Sequence, residues 1–375
     1  MDFAFTEEQN LLRDSVRKFV EKDYAFEARR ALLKTDLGFS REHWKGFAEL
    51  GWTALPFSEA DGGLSGKAVD TMIVLEELGK GLVLEPYLPT IVFAGGLLRR
   101  ASATLRERYL PGLIGGETIA AVGYADPESR FDLATVTTTA KREGNGFVLS
   151  GKKLAVLAGH AADILIVSAR TSGEMNARDG ITLFVLDAKT AGLERVNYAT
   201  VDGLRAANIT LNGVKVGADQ VIGEVDKGLP ILEAVTDEVI VALGAEATGL
   251  MEVLYKSTVA YCKERKQFGV PIAAFQVLQH RMVDMFMEYE QFKSMTYMAT
   301  MTQDAQRPLG KAASGLKVML TRCGRMIGHA AIQNHGGMGM TDELAVSHFF
   351  KRLTMIDLLF GNADYHLDRY RTLPE

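Results

Sequence analysis

The most informative stretch of this chain reads Arg265-Lys-Gln-Phe268-Gly269, and Phe275-Gln276 follows it closely. A third stretch, Gln333-Asn-His-Gly336-Gly337, stands further along the chain. The arginine offers a planar and permanently charged fork, a geometry that suits a pyrophosphate. The paired glycines let backbone amides approach a cofactor with no side chain in the way. Taken alone, the first stretch could equally be a solvated cation at a helix end followed by a glycine cap.

Composition limits the class of protein. A chain of 375 residues with 47% hydrophobic content can bury a sizeable core and form roughly two or three domains. The net charge of −5 argues against a nucleic-acid or anionic-membrane partner. Two cysteines are too few for a disulfide framework, and neither has neighbours typical of a metal site. No apolar run reaches the length of a membrane span and the first residues lack the features of a secretory signal, so we expect a cytoplasmic protein.

Three zones follow one another along the chain. Residues 1–117 carry helical patterns, with helix starts at Thr6 and Ser40. Residues 118–225 change to short β-branched segments, of which 135–141 is the first, and predict an all-β insert of sandwich or barrel type. Residues 226–375 are helical again. An apolar stripe typical of a bundle helix runs through Phe275, Leu278, Met282, Met285, Tyr289 and Phe292. The sequence thus predicts an α+β chain with an N-terminal helical domain, a central β domain and a C-terminal helical bundle.

This order of domains, together with the three stretches quoted above, resembles the acyl-CoA dehydrogenase family over essentially the whole chain. The resemblance implies the fold of that family and, as activity, the α,β-desaturation of an acyl-CoA thioester. Members are usually tetramers built as dimers of dimers, with FAD bound between subunits. A glutamate abstracts the α proton of the substrate while hydride passes from the β carbon to the flavin.

The resemblance also assigns roles to individual residues. In the family, the arginine, the phenylalanine and the Gln-x-x-Gly-Gly segment contact the adenosine diphosphate half of the neighbouring subunit's FAD. The candidate cofactor-binding residues of this chain are therefore Arg265, Gln267, Phe268, Phe275, Gln276, Gln333, Gly336 and Gly337. We expect them to contact a FAD that is shared with a partner chain.

The residue that performs the family's chemistry is absent from its expected place. The catalytic glutamate precedes a Gly-Thr pair, and the matching stretch reads Leu359-Phe360-Gly361-Asn362, so Phe360 stands where glutamate is expected. Some members place the base on an earlier helix, at the position of Val239. The resemblance therefore implies no catalytic residue in this chain. Asp357 or Asp364 could replace the base, although each is more commonly a solvated or paired surface aspartate.

The segments that would hold a flavin ring in this same chain are altered as well. Relatives carry an aromatic-x-Thr-Glu-Pro run whose threonine bonds the isoalloxazine ring, and here Ala125 replaces that threonine. Two glycines of the following loop have become Glu128 and Arg130. A Trp-Ile-Thr triplet that packs against the ring is Ala155-Val156-Leu157 here. Because alanine and leucine cannot supply the lost hydrogen bonds, the polar edge of the ring would be left unpaired.

Residues for a neighbour's FAD are thus kept, while residues for the chain's own flavin and substrate are replaced. This contrast predicts the small, non-catalytic subunit of a heteromeric acyl-CoA dehydrogenase, similar to the pimeloyl-CoA dehydrogenase type. The expected partners are a flavin-bearing large subunit, the acyl-CoA substrate, and an electron-transfer flavoprotein as electron acceptor. Two alternatives stay open: a homo-oligomeric enzyme with an unrecognised base, and a flavin-free scaffold on the same fold.

Overall fold

Helices begin and end the chain, and strands occupy its middle. The computed structural model describes residues 4–374. The helices are α1 (Glu7–Asp23), α2 (Phe26–Leu33), α3 (Arg41–Glu49), α4 (Ala68–Lys80), α5 (Gly95–Leu98), α6 (Ala103–Ile114), α7 (Gly228–Glu264), α8 (Gln276–Asp304), α9 (Gly310–His335), α10 (Ala345–Leu358) and α11 (Ala363–Thr372). The strands are β1 (Ala120–Gly123), β2 (Thr139–Glu143), β3 (Gly146–Leu157), β4 (Ile164–Arg170), β5 (Ile181–Asp187), β6 (Leu193–Ala199), β7 (Arg205–Gly217), β8 (Val221–Ile222), β9 (Lys266–Gln267) and β10 (Val270–Pro271). The predicted α+β order of helices, strands and helices is confirmed.

Local and distant side chains both determine where the helices begin. Thr6 and Gln9 form the predicted capping box at the start of α1, each side chain accepting from the other's backbone N–H. Ser40 caps α3 in the predicted way. Helix α4 is capped from a distance, because the backbone N–H of Ala68 donates to the carboxylate of Asp304 at 2.6 Å. A cap supplied by the end of α8 has no signal in the sequence near α4.

Strands β1 to β8 form one hydrogen-bonded sheet in the order β6-β7-β3-β2-β4-β5-β8, and β1 pairs in parallel with β4. Along that path the neighbouring strands are antiparallel except at β2 and β4, which meet in parallel at the single pair Thr139 and Arg170. This pair joins the two halves of the β insert. Strands β4 and β5 are buried over almost their whole length, and their residues Leu165 and Phe184 lie in the core of the insert.

Strand β2 begins later than the sequence pattern indicates. The β-branched run predicts a strand from Thr135, whereas pairing with β3 begins at Thr139. The cause is the carboxylate of Asp126, which accepts from the backbone N–H groups of Thr137 and Thr138 at 2.6 and 2.7 Å. Because these two N–H groups are already bonded, they cannot join the ladder, and the segment stays a loop up to Thr139.

The chain divides into two units. The first unit consists of the described residues up to Ala31, Ala68–Val83 and those from Ile240 onward, and the second consists of Leu32–Lys67 and Leu84–Val239. Helices α1, α4 and α8 to α11 thus belong to the first unit, and the sheet β1–β8 belongs to the second. The domain boundaries drawn from composition, 1–117, 118–225 and 226–375, stay a prediction. Between residues 4 and 374, no helix combines the length and the apolar character needed to cross a membrane.

Candidate functional site

The Arg265-Lys-Gln-Phe268-Gly269 stretch forms a hairpin directly after α7, in which β9 pairs with β10. Its two turn residues, Phe268 and Gly269, have φ angles of 54° and 82°. A type I′ turn requires positive φ at both central residues, which glycine adopts without strain and phenylalanine adopts rarely. The turn places Phe268 at the tip of the hairpin, where its side chain is 90% exposed.

A second aromatic residue accompanies Phe268 at the surface. Phe275, which precedes α8, is 36% exposed, and its ring meets that of Phe268 edge-on at a centroid distance of 6.1 Å. The polar residues Gln267 and Gln276 beside them are exposed as well. Large apolar rings held together at a surface are typical of a face that contacts another molecule.

Arg265 is fixed at its backbone and unpaired at its side chain. Its N–H donates to the Tyr261 carbonyl, and its own carbonyl accepts from Ile272 N–H, both at 2.8 Å. These bonds anchor the hairpin to the last turn of α7. Within residues 4–374, the exposed guanidinium of Arg265 has no hydrogen-bond or ion-pair partner. Such a group is available to an anion from outside the chain.

The glycine pair follows the last residue of α9. Gly336 has φ 59° and ψ −142°, a conformation that only glycine adopts readily, and its N–H donates to the Gln333 carbonyl. A β carbon built at Gly336 or at Gly337 would meet no atom within 4 Å. Open space therefore lies beside both glycines, and the exposed Gln333 is their neighbour.

Two contacts bring these separate stretches to one end of the first unit. Tyr261, near the end of α7, stacks on His335 at the end of α9, with ring centroids 4.3 Å apart. Arg281, early in α8, donates to the side-chain oxygen of Asn334 at 3.1 Å. The ends of α7 and α9 and the beginning of α8 thus lie together, and all eight candidate cofactor residues stand at these three ends.

The four residues that make these contacts were not predicted as site residues. The available signal was weak: Arg281 directly precedes Met282 of the apolar stripe, and Asn334 follows the apolar run at the end of α9. A polar residue on a buried helix face requires a partner, and each of these two is the partner of the other.

Phe360 occupies the place where the resemblance expects the catalytic glutamate. Its side chain is 6% exposed, its φ is 59°, and its carbonyl accepts from Nε2 of the buried His366 at 2.9 Å. The next residue, Gly361, has φ 114°, and a β carbon there would lie 2.5 Å from the Tyr365 ring. Val239, at the alternative position, is fully buried. Both positions therefore hold buried apolar side chains.

A buried lysine holds the end of α10, just before Phe360. Lys317 of α9 is fully buried, and its Nζ donates to the carbonyl oxygens of Ile356, Asp357 and Leu359 at 2.7, 3.0 and 2.8 Å. The last carbonyls of a helix have no partners within the helix, and the three N–H bonds of the ammonium satisfy these three. Burial lowers the pKa of Lys317 to about 7.

Three carboxylates near the two expected base positions are bound by arginine side chains. The bound ones are Asp357 with Arg325 and Thr321, Glu238 with Arg99 and Arg100, and Glu246 with Arg352. The oxygens of these carboxylates that a general base would use to reach a substrate proton are thus occupied by donors of the chain itself. Asp364 is exposed in the first turn of α11.

The two segments that would hold a flavin ring lie side by side in the second unit. Leu154 N–H donates to the Ala125 carbonyl at 2.8 Å. Next to them, Lys153 and Asp126 form a fully buried ion pair at 2.5 Å. The N–H of Ala155 donates to the side-chain oxygen of Asn208 at 3.1 Å. Polar groups of both segments are thus bonded within the chain, and the side chains of Ala125, Ala155 and Leu157 carry no donor.

Comparison with known protein families shows to which family this chain belongs. The chain matches the acyl-CoA dehydrogenase N-terminal domain over residues 6–117, the middle domain over 121–214 and the C-terminal domain over 226–371. The chain belongs to the acyl-CoA dehydrogenase family.

Individual relatives resemble this chain over almost its full length. A probable acyl-CoA dehydrogenase of Bacillus subtilis (strain 168), YngJ, is 28% identical over 97% of this chain and 97% of its own. The crystal structure of the ChsE4-ChsE5 complex from Mycobacterium tuberculosis contains a chain that is 25% identical, with a TM-score of 0.90 and 100% of both chains covered. The FAD complex of PigA is 26% identical, with a TM-score of 0.92 and 99% and 98% of the two chains covered. The family is thus one of FAD-dependent oxidoreductases.

We expect this chain to lose stability as the pH falls from 7 towards 4, with His366 as a main cause. Its Nε2 carries the proton donated to Phe360, and its Nδ1 accepts from the Ser314 hydroxyl at 3.3 Å, so the folded state holds the neutral ring. Burial lowers the pKa of His366 to about 4, whereas the unfolded chain has a value of about 6.5. Between these values only the unfolded state binds the proton, so the unfolding free energy falls with pH, by roughly 3 kcal/mol at most.

Urea unfolding at a series of pH values between 7 and 4 measures this dependence. His366→Gln should be less stable at neutral pH but should show a shallower decrease, because the titrating group is gone. His329→Gln, which removes an exposed histidine of α9, is the matched control and should keep the original slope. If the unfolding free energy of His366→Gln decreased with pH as steeply as that of the original chain, His366 would not be the titrating group.

Proposed function

We propose that this chain is the small, non-catalytic subunit of a heteromeric acyl-CoA dehydrogenase. Its eight candidate residues, from Arg265 to Gly337, contact the adenosine diphosphate half of a FAD held by a large subunit, and the large subunit supplies the catalytic glutamate. One observation carries the proposal. Among residues 4–374, the exposed side chain of Arg265 has no partner and open space lies at the two glycines of the same end of the first unit, yet both base positions, Phe360 and Val239, hold buried apolar side chains.

The chemistry of the exposed end suits a diphosphate. The unpaired fork of Arg265 can donate two parallel bonds to phosphate oxygens, and the open space at Gly336 and Gly337 leaves room for backbone contact. The exposed amides of Gln276 and Gln333 can supply further donors. When bound, FAD supplies the acceptor for the substrate's hydride. These residues hold and orient the half of the cofactor that does not react.

In contrast, the β insert of this chain is poorly suited to binding a flavin ring. Ala125, Ala155 and Leu157 offer no side-chain donor to the polar edge of the ring, and the N–H of Ala155 is already bonded to Asn208. A ring placed there would lose hydrogen bonds that water supplies. The ChsE4-ChsE5 complex is a family member with two different chains, which supports assembly of this chain with a different partner. An electron-transfer flavoprotein as acceptor and a cytoplasmic location belong to the same proposal.

Co-purification tests the proposal most directly. The chain is purified alone, and then together with an acyl-CoA dehydrogenase paralogue that contains the glutamate, and flavin absorbance and native mass are recorded each time. We expect no flavin in the chain alone and one FAD for each pair of chains in a four-chain complex. One tightly bound FAD per chain in the isolated protein would point to a homo-oligomeric enzyme. No flavin in either preparation would point to a scaffold.

Restoring the carboxylate alone should not create an active subunit. We expect Phe360→Glu to show no α,β-desaturation in the isolated chain, since a base without a bound hydride acceptor cannot complete the reaction. Product formation with an artificial electron acceptor measures this. Phe360→Gln is the control, because it introduces a buried polar group of the same shape without the charge. Turnover by the glutamate variant and none by the glutamine variant would show that the chain holds its own flavin.

A further inference from the structure

Helix α2 is attached to the start of α10 through a buried arginine. Of the eight residues of α2, Arg29 alone is fully buried. Its Nε donates to the carbonyl oxygen of Leu82, just after α4, at 2.8 Å. Its Nη1 lies 3.3 Å from Nδ1 of His348, which stands near the start of α10. The attachment of α2 therefore depends on the acceptors that Leu82 and His348 offer to this arginine.

The contacts of His348 determine which of its ring nitrogens carries the proton. A guanidinium only donates, so Nδ1 of His348 accepts from Arg29. A carbonyl oxygen only accepts, and that of Asp342 lies 3.2 Å from Nε2, so Nε2 carries the hydrogen. The ring is 8% exposed, and the Phe26 ring of α2 packs edge-on against it at a centroid distance of 5.0 Å. Only the neutral form of the ring satisfies both hydrogen bonds.

Protonation of His348 conflicts with this arrangement. A proton on Nδ1 would remove the acceptor of Arg29 and place two positive groups 3.3 Å apart in a buried position. The charged groups that face the ring are Arg29, Lys351 of α10 and Asp342, whose exposed carboxylate is itself bound to Lys351 at 2.6 Å. Charged residues on the neighbouring elements pair with one another: Lys80 with Glu77 and Glu252, Arg30 with Glu27, and Arg352 with Glu246. Burial lowers the pKa of His348, and Arg29 and Lys351 lower it further.

We propose that Arg29, His348 and Asp342 form a pH-sensitive latch, which holds α2 on α10 at neutral pH and opens when His348 takes up a proton. Opening exposes the Arg29 guanidinium to water and releases the Asp342 carbonyl. Asp342 belongs to the segment that joins Gly336 and Gly337 to α10. Acid therefore loosens both α2 and this segment while the rest of the unit stays folded. The latch consists of this chain's own residues and does not depend on the proposed function.

The size of the effect follows from the proton balance of His348. In the open state its pKa is near the ordinary value of about 6.5, whereas the closed state holds the neutral ring. Below that value, each unit of pH raises the ratio of open to closed molecules by up to about tenfold. Between pH 7 and pH 5 the open fraction should rise several-fold, with about 25-fold as the upper limit.

Hydrogen–deuterium exchange of the full chain, followed by mass spectrometry at pH 7 and pH 5, measures the opening. Rates are corrected for the intrinsic pH dependence of amide exchange and compared with those of residues 316–327 in α9, which report unfolding of the whole unit. We expect the corrected exchange of α2 and of residues 341–351 to rise several-fold more than that of α9. An equal rise in all three segments would mean global unfolding and would overturn the proposal.

Three variants assign the pH dependence to the latch. His348→Gln keeps an oxygen for Arg29 and an N–H group for the Asp342 carbonyl but takes up no proton, so the extra rise between pH 7 and pH 5 should disappear. Arg29→Met removes the like charge beside the ring and should make the rise smaller. Arg30→Met is the matched control on the same helix, because Arg30 pairs with Glu27 at 3.1 Å, and it should keep the original rise.

Titration of His348 itself gives a measurement that needs no variant at that position. The NMR signals of its ring should titrate with a midpoint below that of the exposed His329, and Arg29→Met should raise this midpoint. A midpoint equal to or above that of His329 would show that the closed latch does not resist protonation, and the proposal would be wrong. The same conclusion would follow if the full rise in α2 exchange persisted in His348→Gln.

Discussion

Replacing Lys317 by methionine should lower the free energy of unfolding of this chain by about 3–5 kcal/mol. The carbonyl oxygens of Ile356, Asp357 and Leu359 would all lose the donor that the fully buried Lys317 supplies. Methionine has a similar length, so the change removes hydrogen bonds and charge while most of the packing is kept. Urea unfolding of the isolated chain at pH 6, below the pKa of about 7 of Lys317, measures the effect.

The control for this prediction lies on the same helix. Lys311 is half-buried, and its Nζ lies 5.5 Å from the centroid of the Tyr370 ring without a carbonyl partner among the described residues. Lys311→Met should therefore cost only about 0.5–1 kcal/mol, the magnitude of a partly exposed cation–π contact. If the two variants lost equal free energy of unfolding, the hydrogen bonds of Lys317 at the end of α10 would contribute little to stability.

The second large effect concerns flavin retention. Arg265→Ala in the assembled complex should weaken FAD binding by roughly 1.5–3 kcal/mol, since a charge-assisted and bidentate interaction is lost. The four-chain assembly should survive, because the Arg265 side chain has no partner among residues 4–374 that the mutation would remove. The flavin-to-protein ratio after gel filtration and the native mass together measure both results.

Two variants make this test specific. Arg265→Lys keeps the positive charge and loses the planar fork, so it should retain more flavin than the alanine variant and less than the original chain. Arg307, just beyond the other end of α8, is likewise an exposed arginine, and Arg307→Ala should leave flavin content unchanged. Equal flavin content in all four complexes would remove the claim that this chain binds FAD for its partner.

Much of the fold follows from short-range signals. The capping box at Thr6, the helix start at Ser40 and the change from helices to β-branched segments all depend on residues within a few positions of one another, and each was confirmed. The start of β2 was predicted at Thr135 and lies at Thr139, because Asp126 takes up the backbone N–H groups in between. The cap of α4 by Asp304 could not be predicted from the sequence either, since it depends on how α8 packs.

The apolar stripe of α8 also shows what a sequence pattern cannot predict about burial. Its later members, Met285, Tyr289 and Phe292, lie in the core as the period of the sequence predicts. Phe275, which shares that period, is instead 36% exposed and meets the exposed ring of Phe268. Periodicity tells which face of a helix is apolar, but only the packing of its neighbours decides how far along the helix that face is covered.

The sequence by itself determined the family, the order of helices and strands, and the identity of the residues at 239, 265, 336, 337 and 360. Tertiary structure decided what surrounds them. The contacts of Tyr261 with His335 and of Arg281 with Asn334 bring three helix ends together, and distant arginines bind Asp357, Glu238 and Glu246. The physical reason is the range of the interactions. Caps, turns and periodicity act over one or two helical turns and are visible in sequence, whereas ion pairs and stacked rings between distant residues form only once apolar faces have packed.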